Sequence, residues 1–227
     1  MAHIIGLVDA MGVSGCSIIA TNLAASLAQR YNTALIDCNT QPNASTSWYR
    51  MRKAMGMSAN LTLATPSGHS ELLCEAERLN GSQEFIVIDA PPATAETTKA
   101  ILIASQLILI PVAPSATWNW GSDLLQIIEE ARARRPAVDA RIVWTPFHFR
   151  SKSAQERWGD LSKKLELEEL RTTLNYRRCY SDALASGLSV LESTDEESWE
   201  EMALLTTEIV WILKSKSKRG NHDYRLE

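Results

Sequence analysis

The chain lacks most of the signals that would assign a function directly. Its four cysteines, Cys16, Cys38, Cys74 and Cys179, stand far apart with no C-x-x-C pair. That spacing excludes a zinc site of the usual pattern and a disulfide framework, and leaves reduced thiols. No apolar run reaches the roughly 18 residues that span a bilayer. The first residues carry no basic segment followed by a cleavable apolar one, so the expected location is cytoplasmic. An excess of positive charge is also missing: 23 Lys and Arg against 27 Asp and Glu give a formal net charge of −4. A general attraction to nucleic acid is thereby excluded, although local patches are not. The 10 glycines and 8 prolines do not gather into a linker, and no repeat of 20 to 50 residues is visible.

What remains is a 227-residue chain with 45% hydrophobic and 22% charged residues, the balance of an ordinary globular domain. Short runs of Ile, Val and Leu alternate with longer segments of helical period. This alternation predicts an α/β fold, a single doubly wound and mainly parallel sheet with helices on both faces. Strands are expected at His3–Val8, Thr33–Cys38, Asn60–Ala64, Glu84–Asp89, Gln106–Pro111 and Ala140–Thr145. Helices are expected at about Ser17–Arg30, Asn43–Met55, Ser70–Leu79, Ala95–Ser105, Gly121–Arg134, Ala154–Leu165, Ser181–Ser186 and Ser193–Lys214. Residues 1–213 form one domain in this reading, and 214–227 form a basic, flexible tail. Ile86-Val87-Ile88 and Leu107-Ile108-Leu109-Ile110 are apolar without alternation, as in central strands covered on both faces.

Ligands of a doubly wound sheet lie beyond the carboxyl ends of its strands. Five loops gather there: Met11–Ser17, Asp37–Gln41, Asp89–Pro92, Pro111–Ser115 and Trp144–Pro146. The first is the most telling. A strand that runs through a Gly-containing loop into an Ala-rich helix aims backbone N–H groups at a phosphate. The phosphate-binding loop of pattern G-x-x-x-x-G-K-[ST] is nevertheless incomplete here, because Cys16 stands at the lysine position. Asp37 and Asp89 each end an apolar strand and, with the Ser17 hydroxyl, supply oxygen ligands suited to Mg²⁺. An Asp at a strand end also serves as a cap for the next helix. Cys16 and Cys38 end neighbouring loops, which leaves a thiol pair as another reading of the rim. Trp118, Trp120 and Trp144 either crowd the place of a base or pack into the core.

Met11-Gly12-Val13-Ser14-Gly15-Cys16-Ser17, Asn22-Leu23-Ala24, Leu35-Ile36-Asp37-Cys38-Asn39-Thr40-Gln41, Ile88-Asp89-Ala90-Pro91-Pro92 and Ile110-Pro111-Val112-Ala113-Pro114-Ser115 occur in this order. Leu174–Ala183 and Gly187-Leu188-Ser189-Val190-Leu191-Glu192 follow. In this set the sequence resembles the ParA/MinD family of deviant Walker A ATPases, which position plasmids, chromosomes and protein assemblies. The resemblance implies a P-loop NTPase fold and a nucleotide site at Gly12, Val13, Ser14, Gly15, Cys16, Ser17 and Ile18. It further implies Mg²⁺ at Ser17, Asp37 and Asp89, and a homodimer formed across the rim at Met11, Pro91 and Pro92. The family's DNA-contacting surface is basic and lies in the C-terminal third, where this chain has Arg150, Lys152, Arg178, Lys214, Lys216, Lys218 and Arg219.

The departures concentrate at the site. Met11 and Cys16 replace the two lysines of the family's loop, Asn39 replaces the Asp that positions the attacking water, Val13 replaces a glycine, and Thr145 stands where members place an adenine-reading Asn. Phosphoryl transfer is catalysed by positioning and charge neutralisation, and a single cationic finger is worth roughly 10³ to 10⁵ in rate. The expectation is therefore a ParA-like partition or positioning protein, a degenerate pseudo-ATPase with no catalytic residue. ATP and Mg²⁺ would bind weakly, and no cofactor would be essential. Expected partners are a second copy, a ParB-like or secretion or transfer component, and nonspecific DNA on the nucleoid. The alternative is a weakly active ATP-dependent dimerisation switch serving plasmid partition, conjugative or T-DNA transfer, or cellulose secretion.

Overall fold

Strand β4 (Phe85–Asp89) is buried at every residue, as is β2 (Thr33–Asp37) beside it. Both runs lack alternation because helices cover both faces of the sheet. In the computed structural model, which describes residues 1–8, 15–39, 43–91, 95–112, 122–135, 138–145, 167–175 and 177–223, they belong to a seven-stranded sheet of order β3-β2-β4-β1-β5-β6-β7. The other strands are β1 (His3–Leu7), β3 (Leu61–Ala64), β5 (Leu107–Val112), β6 (Asp139–Trp144) and β7 (Glu168–Glu169). All of the pairings are parallel. β1 lies in the middle, between β4 and β5. The two-residue β7 was not anticipated: Glu168-Glu169 has no apolar pattern and owes its place to pairing with Arg141 and Ile142 of β6.

The helices are α1 (Cys16–Ala28), α2 (Ala44–Ala54), α3 (His69–Asn80), α4 (Ala95–Ala104), α5 (Ser122–Arg134), α6 (Arg178–Ser186) and α7 (Glu196–Asp223). One face of the sheet, with Ile4, Ile36, Ile86 and Ile110, packs against Leu72 and Leu79 of α3, Ile101 of α4 and Ile128 of α5. The opposite face, with Ile5, Leu35, Val87 and Leu109, packs against Leu23 of α1, Trp48 of α2, Tyr180 of α6 and Met202 and Ile209 of α7. The expected helix ending at Lys214 instead continues to Asp223. Lys, Ser and Arg are adequate helix formers and Gly220 is the first weak one, so nothing in 214–219 stops the helix. The expected helix at 154–165 lies outside the described residues. Among the described residues, no helix is long and apolar enough to cross a membrane.

Candidate functional site

Helix α1 begins where the sequence pattern places it. Gly15 is its N-cap, with φ 72° and ψ 23°, a left-handed conformation that suits glycine, and no side chain caps the helix there. A glycine N-cap brings no capping side chain of its own, which suits the backbone N–H groups of a helix start to an anion. Cys16 is buried in the core beneath that turn. Asn22, one turn further along, is fully buried and donates to the Ile18 carbonyl at 2.8 Å. Its Oδ1 accepts from the Ser189 hydroxyl at 3.0 Å and from the Val190 N–H at 2.8 Å. The late motif Gly187–Glu192 is thereby fastened to the loop-bearing helix.

Asp37 and Asp89 stand side by side, paired in register at the carboxyl ends of β2 and β4. They are 2% and 0% exposed. The Asn39 side-chain nitrogen donates to Asp37 Oδ1 and to Asp89 Oδ2, each at 3.1 Å, and its backbone N–H donates to Asp37 Oδ1 at 3.0 Å. Asp37 Oδ2 accepts from both the Thr46 N–H (2.8 Å) and the Thr46 hydroxyl (2.7 Å), while Asp89 Oδ2 accepts from the Ser45 hydroxyl at 2.7 Å. Two buried carboxylates are therefore held by neutral donors, and both engage the first turn of α2. Each Asp37 oxygen already takes two protein donors, so a cation at Asp37 has to displace them. Among the described residues, no group of three His, Cys, Asp or Glu side chains is arranged to hold a metal ion.

Ser45 and Thr46 were not singled out in the sequence, although hydroxyl residues at the start of an expected helix are the usual signal for a capped first turn. The bridging role of Asn39 was also not visible, since its partner Asp89 lies 50 residues away. Of the remaining rim residues, Ser17, Ile18 and Pro91 are partly buried. Met11, Gly12, Val13, Ser14 and Pro92 lie outside the described residues, as do Trp118 and Trp120. Trp144 is a core residue whose indole donates to Glu169 at 2.8 Å. Thr145 is buried at the end of β6.

The thiol pair is corrected by the geometry. Cys38 belongs to the core on one face of the sheet and Cys16 to the core on the other. Burial, and then the Asp89 and Asp37 carboxylates, push the Cys38 thiol up to about 12, which makes it unreactive. Among the expected DNA contacts, Arg178 is exposed and lies 3.5 Å from Asp182. Lys214 sits 4.6 Å above the Tyr31 ring and 3.1 Å from its hydroxyl. Arg150 and Lys152 lie outside the described residues. Arg135, beside the basic run of α5, donates to the Ile103 and Ser105 carbonyls at 2.7 and 3.0 Å and so closes the end of α4.

A second assembly links α2 to the late motif. Arg52 is buried and makes two hydrogen bonds to Glu192, at 2.8 and 2.6 Å, and a longer one to the Gly187 carbonyl. The Trp48 indole donates to the Leu188 carbonyl at 2.8 Å. Burial raises the Glu192 carboxyl, but the Arg52 hydrogen bonds, the Ser189 N–H and the Arg52 charge outweigh it, leaving the group below its ordinary value.

No family model matches the chain. Over 193 residues it is 27% identical to the maintenance of carboxysome distribution protein A of Halothiobacillus neapolitanus, covering 84% of this chain and 88% of that protein. The structure of a Cyanothece McdA variant in complex with ATP superposes with a TM-score of 0.70 at 17% identity, covering 92% of this chain and 96% of that one. The MinD cell division protein of Aquifex aeolicus gives 0.67 at 14% identity, with 92% and 97% covered. In sequence and motif order the chain is similar to ParA/MinD-type proteins, and it has the P-loop NTPase fold of the ParA/MinD-like structures.

Proposed function

We propose that the chain is a ParA-like positioning protein that works by binding partners and has lost, or nearly lost, ATP hydrolysis. The observation that supports this most directly is the Asp37–Asn39–Asp89 network. At the position where the family has a water-orienting carboxylate, Asn39 spends its side-chain nitrogen on both neighbouring acids. An amide that donates its proton cannot act as a base toward water. Cys16 carries no positive charge to set against a β/γ-phosphate, and it is turned into the core. Magnesium, if taken up, would be held by Ser17 and Asp89, with Asp37 after release of Thr46, and would supply charge neutralisation for the phosphates. The chain's own contribution to an anion is the α1 N-terminus, worth about 1–2 kcal/mol.

A second reading keeps nucleotide as a switch without turnover. The uncapped, glycine-led start of α1 favours it, as does the ATP-bound state of the similar Cyanothece protein. Melting of the pure protein with and without Mg-ATP separates the two. Occupancy at about 100 times Kd would stabilise by roughly 2.7 kcal/mol. The binding-module reading predicts no shift, and a shift of several degrees favours the switch. The relative's role in carboxysome distribution makes a protein assembly the first class of cargo to test, with plasmid or transfer machinery next. Contacts to DNA through Arg178 and the basic residues of 214–219 would be phosphate contacts and must weaken steeply with salt.

A further inference from the structure

Helix α7 has two unlike faces. Met202, Leu205, Ile209, Ile212 and Leu213 are buried against the sheet side that carries α1. Leu204 and Trp211 instead stand in solvent, 53% and 69% exposed. They are seven residues apart and so share one face of the helix. The same face continues in both directions. Glu197, Glu200, Leu204, Thr207, Trp211 and Lys214 follow one another at alternating steps of three and four, and all are exposed. Alternating steps of three and four form the seam along which one helix packs on another.

The seam also has a polarity. Its start carries Glu200 and Glu197, the latter already ion-paired with Arg177, its middle Leu204 and Trp211, and its end Lys214. A stripe that is acidic at one end and basic at the other is complementary to its own reversed copy. It is a poor match to any surface of uniform charge, including an anionic bilayer, which Glu200 would repel. Lys214 touches Tyr31, just before β2 starts. That end of the seam therefore lies at the amino edge of the sheet, away from the rim that carries Asp37 and Asp89.

We propose that the exposed face of α7 pairs with the same face of a second copy of this chain, antiparallel, with Leu204 and Trp211 central and each glutamate end against the other's lysine end. The pairing needs no nucleotide and is independent of the reading of the P-loop rim.

Sedimentation equilibrium of the full chain without nucleotide tests it. Wild type is a dimer, and Leu204→Glu or Trp211→Glu raises its dissociation constant by more than about tenfold. Because both side chains are exposed in the single chain, the circular dichroism of these variants stays at wild-type values, and their melting matches that of wild type diluted below its dissociation constant. Glu200→Lys weakens the dimer, and Glu200→Lys with Lys214→Glu regains it to within about threefold. A wild-type monomer at all concentrations, a dimer indifferent to Trp211→Glu, or a swap that regains nothing would each overturn the proposal. So would Trp211-dependent co-sedimentation with anionic vesicles by a monomeric protein.

Discussion

Arg52 and Glu192, 140 residues apart in the chain, meet through two hydrogen bonds of 2.8 and 2.6 Å beneath the last turn of α2. Their side chains are 6% and 21% exposed. This pair ties the helix that receives Asp37 and Asp89 to the turn that receives Asn22, so the loop-bearing helix, the paired acids and the late motif form one connected body.

Removing Arg52 leaves Glu192 half-desolvated beside only the Ser189 N–H. Breaking a buried pair from one side costs about 3 kcal/mol, at the low end for a partner that is not fully buried. In a domain of this size Arg52→Ala is expected to lower Tm by about 6–12 °C. Because the folded Glu192 pKa lies below the unfolded one, its contribution is present above the ordinary glutamate value and is lost as pH falls through the folded value. Melting between pH 3 and 7 should show that Arg52→Ala loses less stability on acidification than wild type. Parallel curves would contradict the assignment.

Asn39→Asp sets a third carboxylate against the two buried ones, Asp37 and Asp89. The new group's pKa is raised in the folded state, so its cost is absent below the unfolded value and grows as pH rises through the folded value. The variant should match wild type at about pH 4 and melt several degrees lower at pH 8. Equal melting at both pH values would show that the acids do not sense one another.

Gly187 has φ 74°, and a Cβ built there falls 2.7 Å from Met51 Cβ and 2.8 Å from the Arg52 nitrogen. Both are parts of the helix Gly187 touches, so neither can move alone. Gly187→Ala is expected to cost about 2–4 kcal/mol through strain and overpacking together. Urea unfolding should show a lower midpoint with an unchanged m-value, and a cost under about 0.5 kcal/mol would exclude a fixed contact here.

Much of this was legible from residues alone. The unalternating runs of β4 and β5 located the middle of the sheet, and Asp37 and Asp89 read as rim acids because each closes such a run. The motif Gly187–Glu192 was recognised without its purpose: its partners Asn22, Trp48 and Arg52 lie far away in sequence, and long-range pairing leaves no local period. The run of charge past Lys214 reads in sequence as a tail, yet Lys and Arg propagate a helix well, and α7 continues to Asp223. Cys16 and Cys38 looked like neighbours because consecutive loops share a rim. Alternation along a strand and the two-sided core put them on opposite faces.

The central claim is that the loop no longer supports phosphoryl transfer, and steady-state phosphate release from Mg-ATP by the purified chain tests it most directly. With the loop lysines and the water-orienting carboxylate absent, wild type should release phosphate no faster than Ser17→Ala, both at the level of buffer. Sustained release by wild type that Ser17→Ala abolishes would contradict the account.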